Sequence, residues 1–199
     1  LTDIPLTEHG REQALDAGKR LAAMHPSPFD EVYISPLHRA HDTALIAGEY
    51  YGFHDMKVMP DVHEWDYGFA EGLSTKDIRS MLPATQNNWR IWDKDAQEVL
   101  ADNEISYLSH PDEYKSLVGD AHYGESPSDV FYRASRVLRT CYHDESQDIL
   151  IVAHAHIIRF LAASWVGDIN VAGALDIGPA KIGVLSSVSG DHVITGWGL

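Results

Sequence analysis

The sequence predicts an α/β fold, a three-layer α/β/α sandwich around a mostly parallel central sheet. Three observations predict it. A short apolar run, Val32-Tyr33-Ile34, passes through Ser35-Pro36 into helix-forming sequence. A second run at 149–153 passes directly into a stretch whose apolar positions Ile157, Phe160, Leu161 and Trp165 share one helix face, so strand, tight turn and helix occur twice. Strand-like and helix-like segments then alternate along most of the 199 residues, a length that suits one domain.

In chain order, Thr7 is placed to cap a helix through Arg11, Leu15, Gly18 and Leu21, which ends before Pro26 and Pro28. Ser35 reads as an N-cap with Pro36 at the first helical position, opening a helix to about Glu49. Lys57-Val58-Met59 reads as a further strand. Ser126-Pro127 repeats the cap-and-proline signal, and Val130, Ala134, Val137, Leu138 and Cys141 then mark the clearest amphipathic helix of the chain. Residues 182–188 and 192–195 form a closing pair of strands about Ser189-Gly190. The stretch 83–125 differs in kind, with weak periodicity, Trp89, Trp92 and nine acidic residues against three basic. It reads as an insertion into the 1–199 domain, either a lid-like, substrate-selecting element or a solvated pair of surface helices.

Fifteen Lys and Arg against thirty Asp and Glu give a formal charge of −15. A field of that sign repels nucleic acid, so an anionic small molecule would need its positive counter-charge gathered in a pocket. No apolar run approaches the ~20 residues that cross a bilayer. Cys141 is the only cysteine, which excludes an intrachain disulfide and a Cys-based zinc site and suits a reducing cytosol. Leu1-Thr2-Asp3-Ile4-Pro5 resembles no targeting peptide, and without an initiator Met the start reads as incomplete.

In an open parallel sheet, ligands bind beyond the carboxyl ends of the strands, where helix N-termini also point. Arg39 falls in the first turn after Ser35-Pro36, a cation at the positive end of a helix dipole, a conflict that an oxyanion would resolve. The bland alternative is a surface cation paired with a carboxylate. His154 stands at the end of the second buried strand, facing the same crevice. His156 reads as a satisfied, half-buried side chain. No carboxylate at ligand spacing completes a metal set around the two histidines, so no metal is expected. Glu64, in the loop Val62 to Gly72, sits beside Trp65, where an apolar neighbour would raise its pKa and suit it to donate a proton; a solvated acidic loop is the alternative.

Taken together and in this order, Leu1-Thr2-Asp3-Ile4-Pro5-Leu6-Thr7 with Gly10, Ser35-Pro36-Leu37-His38-Arg39-Ala40 with Thr43-Ala44, Glu64 with Tyr67-Gly68 and Glu71-Gly72, Gly124-Glu125-Ser126, and Ala153-His154 resemble the histidine phosphatase superfamily, also called phosphoglycerate mutase-like. The likeness covers nearly the whole chain. Glu64-Trp65-Asp66-Tyr67-Gly68, Trp89 to Trp92, His154-Ala155-His156 and Ile182-Gly183-Val184-Leu185-Ser186 are most similar to its fungal sedoheptulose-bisphosphatase branch.

The resemblance implies phosphoryl transfer through a phosphohistidine, on phosphate monoesters of sugars or similar small metabolites. Arg39 and His154 match the second Arg and second His that hold the phosphoryl oxygens, and Glu64 matches the proton donor to the leaving alcohol. Neither metal nor cofactor is implied. The family's nucleophile lies in an Arg-His-Gly motif on a first strand, and that motif is absent here, so the fold is expected to lack its first strand and the chain as written to be inactive. Loss of a buried central strand leaves ladder groups unpaired, which favours a strand omitted from this sequence over a naturally shortened pseudoenzyme that binds phosphorylated ligands. A mutase, which returns the phosphoryl group to the product, is the alternative reaction. On oligomeric state the sequence is silent.

Overall fold

The computed structural model describes residues 2–50, 53, 55–103, 105, 124–144 and 146–199. The chain divides into two compact units, one of residues Trp65–Val130 and one of Thr2–Glu64 with Phe131–Leu199.

The second of these carries the sheet. Helix α1 (Glu8–Met24) starts at Thr7, whose side chain accepts a hydrogen bond from the Gly10 N–H at 3.1 Å. Strand β1 (Glu31–Ile34), helix α2 (His38–Gly48) and strand β2 (Met56–Val58) follow. Helix α5 (Pro127–Cys141) leads to strand β3 (Ile149–Val152), helix α6 (Ala155–Val166), and the short helix α7 (Asn170–Ala174). Strands β1, β2 and β3 form a parallel sheet in the order β2-β1-β3, with Val32 opposite Met56 on one side and Leu150 on the other. This is the predicted mostly parallel sheet between helices. Its core gathers Val32, Ile34 and Ala44, with Phe29, Phe53, Met56, Leu150 and Val152 packed around them.

The sheet differs from expectation at β3, which the apolar run predicts to be buried. All four of its residues are only partly buried, because among the described residues β3 has a strand neighbour on one side alone. Strand β2 lies one residue earlier than predicted. The closing pair is an antiparallel hairpin of β4 (Val184–Val188) and β5 (Asp191–Gly196), and both turn residues, Ser189 and Gly190, have positive φ, as a tight two-residue hairpin requires.

Helices α1 and α2 touch backbone to backbone. A Cβ built on Gly18 would lie 2.6 Å from the Ala47 carbonyl oxygen and 2.8 Å from its Cα, so no side chain fits at position 18.

The Trp65–Val130 unit closes its own small core around Trp89, Ile78, Leu82 and Leu100. Two seven-residue helices frame it, α3 (Thr75–Met81), opened by a Ser74/Asp77 capping box, and α4 (Ala96–Asp102). The Trp89 indole N–H donates to the Ala96 carbonyl at 2.8 Å, and Arg79 Nε to the Trp89 carbonyl at 2.9 Å. Of the acidic stretch 83–125, residues 104 and 106–123 lie outside the described ones. Ser126 and Asp129 exchange side-chain bonds to each other's backbone N–H, which is the predicted cap of α5. No helix among the described residues is long and apolar enough to cross a membrane.

Candidate active site

The carboxyl ends of β1 and β3 are adjacent, since Ile34 pairs with Val152, and the chain leaves each of them towards a helix start. At β1 the next residue, Ser35, is fully buried and donates its N–H to the Val152 carbonyl. Its hydroxyl lies 2.7 Å from His154 Nε2 and also accepts from the Leu37 N–H at 3.3 Å. Ser35 therefore does not cap α2 as predicted. The helix begins two residues after Pro36, at His38, with Leu37 as N-cap and no side-chain cap bond, because the serine hydroxyl is turned inward to the imidazole.

His154 is the N-cap of α6 and only 7% exposed. Burial pushes its imidazole down to about 4, and the nearby Arg39 charge adds to the effect, while Glu64 and Asp3 oppose it. The ring is thus neutral near pH 7.

Glu64 is also buried, and its carboxylate reaches the start of α6. The Ile157 N–H donates to Oε1 at 3.1 Å and the His156 N–H to Oε2 at 3.3 Å. The anion occupies the place where a helix dipole and orphan N–H groups welcome negative charge. That surrounding was not legible from Trp65 next door in sequence. His156 is half-buried as expected, with Nδ1 3.8 Å from Glu64 Oε2.

Arg39 lies in the first turn of α2, and its Nη1 donates to the Thr2 carbonyl at 3.0 Å. The helix start beside Arg39 is filled by a carboxylate of the protein itself. Asp3 Oδ1 accepts the His38 backbone N–H at 2.9 Å, and Oδ2 pairs with His38 Nδ1 at 2.5 Å. Asp3's carboxyl lies below its ordinary value: burial raises it, but the bonds from His38 outweigh that and the Arg39 charge assists. His38, bonded to Asp3, lies above its ordinary value.

Arg39 in the first turn of α2, and His154 and Glu64 at the start of α6, thus come from three separated stretches of sequence to the helix starts that follow the neighbouring strands β1 and β3. The Arg39 and Glu64 charges act on the His154 imidazole in opposite senses, the first lowering and the second raising its pKa. Among the described residues no group of three or more His, Cys, Asp or Glu is clustered as a metal ion would need. A cation, a neutral imidazole and a carboxyl group at these two helix starts are the groups that binding an oxyanion and protonating a leaving ester oxygen call for.

Sequence reasoning missed Ser35 as the partner of His154, Asp3 as the filler of the α2 start, and Arg133. The last had a visible signal, because an Arg at position 133 falls between Val130 and Val137 on the apolar stripe of α5.

Comparison with known proteins bears on this geometry. The sequence profile of the histidine phosphatase superfamily (branch 1) matches residues 1–199. An acid phosphatase of Mycobacterium tuberculosis is 32% identical over 167 residues, 83% of this chain and 65% of that protein. A sedoheptulose 1,7-bisphosphatase of Saccharomyces cerevisiae is 25% identical over 188 residues, 84% of this chain and 60% of that protein. The match thus spans less than two thirds of either curated relative. Among solved structures, the product of open reading frame Rv3214 of Mycobacterium tuberculosis superimposes with a TM-score of 0.76 and 28% identity, covering 100% of this chain and 86% of that one.

Proposed function

The chain belongs to the histidine phosphatase superfamily, and from that premise we propose that the protein hydrolyses phosphate monoesters of sugars or similar small metabolites, without a metal, through a phosphohistidine. The observation that supports the reading is that Arg39, His154 and Glu64 stand at the two helix starts that follow the neighbouring strands β1 and β3. The likeness to a yeast bisphosphatase of a sugar supports the substrate class.

In this reading the nucleophile is a histidine that these 199 residues do not supply in an Arg-His-Gly setting. Its ring nitrogen bonds to phosphorus as the phosphorus–oxygen ester bond breaks. Arg39 holds the phosphoryl oxygens, where charge spreads in a loose transition state. His154, neutral in the free site, donates an N–H, and a phosphate dianion beside it favours the imidazolium, so binding draws in a proton. Glu64, a carboxylate in the free site, takes up a proton as the phosphate dianion binds and gives it to the departing alkoxide. Water then attacks phosphorus and releases the histidine, returning a proton to the Glu64 carboxylate. The cytosol is the proposed compartment, supported by Cys141 being the sole cysteine and a buried free thiol.

The test is the full-length protein against a panel of sugar phosphates, with a chelator present. Inorganic phosphate released without isomerised product is the expected result. Isomerised product in place of phosphate would make the protein a mutase, and tight binding without either product would make it a phosphate-ester receptor.

A further inference from the structure

Arg133 is 5% exposed, a guanidinium taken out of water inside the apolar stripe of α5. Its Nη1 donates to the main-chain carbonyls of Asp61 and His63 at 2.8 and 2.9 Å, and its Nη2 to that of Glu64 at 3.4 Å. These bonds go to the stretch of backbone that presents Glu64. The other end of the same residue, its carboxylate, is fixed by the His156 and Ile157 N–H groups. One turn further along α5, Arg136 meets the Asp61 carboxylate with both Nε and Nη2, at 2.7 and 2.6 Å, but in the open.

We propose that Arg133 is a positioning residue for Glu64, a buried clamp on the backbone of residues 61–64 that aims the carboxyl group at the leaving oxygen. The proposal rests on Glu64 being the proton donor. A planar guanidinium suits this task, because its donors diverge in a fixed fork and can hold carbonyls of different residues at once. A lysine in the same place keeps the charge but concentrates its donors at one point. The side chain touches neither substrate nor reacting atoms, so its effect must appear through Glu64. Proton donation matters most where the leaving alcohol is a poor leaving group, so misplacing the donor has a signature that general destabilisation lacks.

The experiment compares Arg133→Lys, Arg133→Gln, Glu64→Gln and the surface control Arg136→Gln in the full-length protein. Two quantities are read, amide exchange at His156 and Ile157, and hydrolysis of an alkyl phosphate against an aryl phosphate with an activated leaving group. Arg133→Lys is expected to speed exchange at both amides with β1 unchanged. It should also cut alkyl phosphate hydrolysis at least about tenfold more than aryl, the direction expected of Glu64→Gln, with Arg136→Gln near wild type. Unchanged exchange, or equal losses on the two esters, overturns the proposal. If Glu64→Gln is selective and Arg133→Lys is not, the clamp falls alone. If Glu64→Gln is itself unselective, the proton-donor reading falls and takes the clamp with it. Should Arg133→Gln fail to fold, the lysine variant carries the test.

Discussion

Two helices begin at the carboxyl edge of the parallel sheet, and each start is filled by a carboxylate from a distant stretch of the chain. At α2 the filler is Asp3 on the His38 N–H; at α6 it is Glu64 on the N–H groups of His156 and Ile157. The electrostatic rule is the same at both. What differs is water. The Asp3 and His38 side chains are 31% and 78% exposed, whereas that of Glu64 is 10% exposed and His154 beside it is buried. As a result two histidines next to helix starts move in opposite directions, His38 upward through its bond to Asp3 and His154 down to about 4 through burial. The chemistry of a histidine at a helix start is decided by what covers it.

The largest expected effect sits between the two starts. If Arg39 is the cation that meets the phosphoryl group, Arg39→Ala lowers kcat/KM of the full-length protein by about 10²–10³, or roughly 3–4 kcal/mol. A loss smaller than tenfold would reduce α2 to a structural start.

The next effect is on acid stability. His154 is depressed in the folded state, so between its ordinary value of 6.5 and about 4 the unfolded chain binds the extra proton, and stability falls as pH falls through that window. The loss reaches about 3 kcal/mol at the acid end. Urea unfolding at several pH values, with His154→Gln as reference, isolates it; parallel curves for the two proteins would contradict the burial argument. Glu64→Ala comes third. It leaves two helix-start N–H groups without their acceptor and is expected to cost about 1–3 kcal/mol in the same assay. Smallest is Asp3→Asn, which should leave the melting temperature nearly unchanged while bringing the His38 imidazole back towards 6.5 in an NMR titration. A large drop in melting temperature there would erase the contrast between the exposed and buried starts.

The fold was largely legible. Periodicity and caps place α1, α5 and α6, and the apolar runs place β1 and β3, because these elements are long or bounded by strong local signals. Helices α3 and α4 have seven residues each, too few for a period to stand out. At the candidate site, the hydrogen-bond partners of His154 and Glu64 and the carboxylate that fills the start of α2 were not readable. Ser35 looks like a cap when read against Pro36, and only the pairing of β1 with β3 brings it to a ring 119 residues away. Asp3 lies 35 residues before the helix start that it fills, beyond the reach of any local rule. Glu64 was read against its sequence neighbour, whereas its environment is made by the start of α6.

The contact of Gly18 with Ala47 fixes how closely α1 and α2 pack. Ala47 is eight residues beyond Arg39 on the same helix, about 12 Å along its axis, so the place where α1 rests on α2 also bears on the helix that carries the guanidinium. Anyone re-engineering the segment between these helices, which includes β1, must therefore conserve their mutual register, since a slip of one helix past the other would shift the guanidinium without altering any residue that touches it.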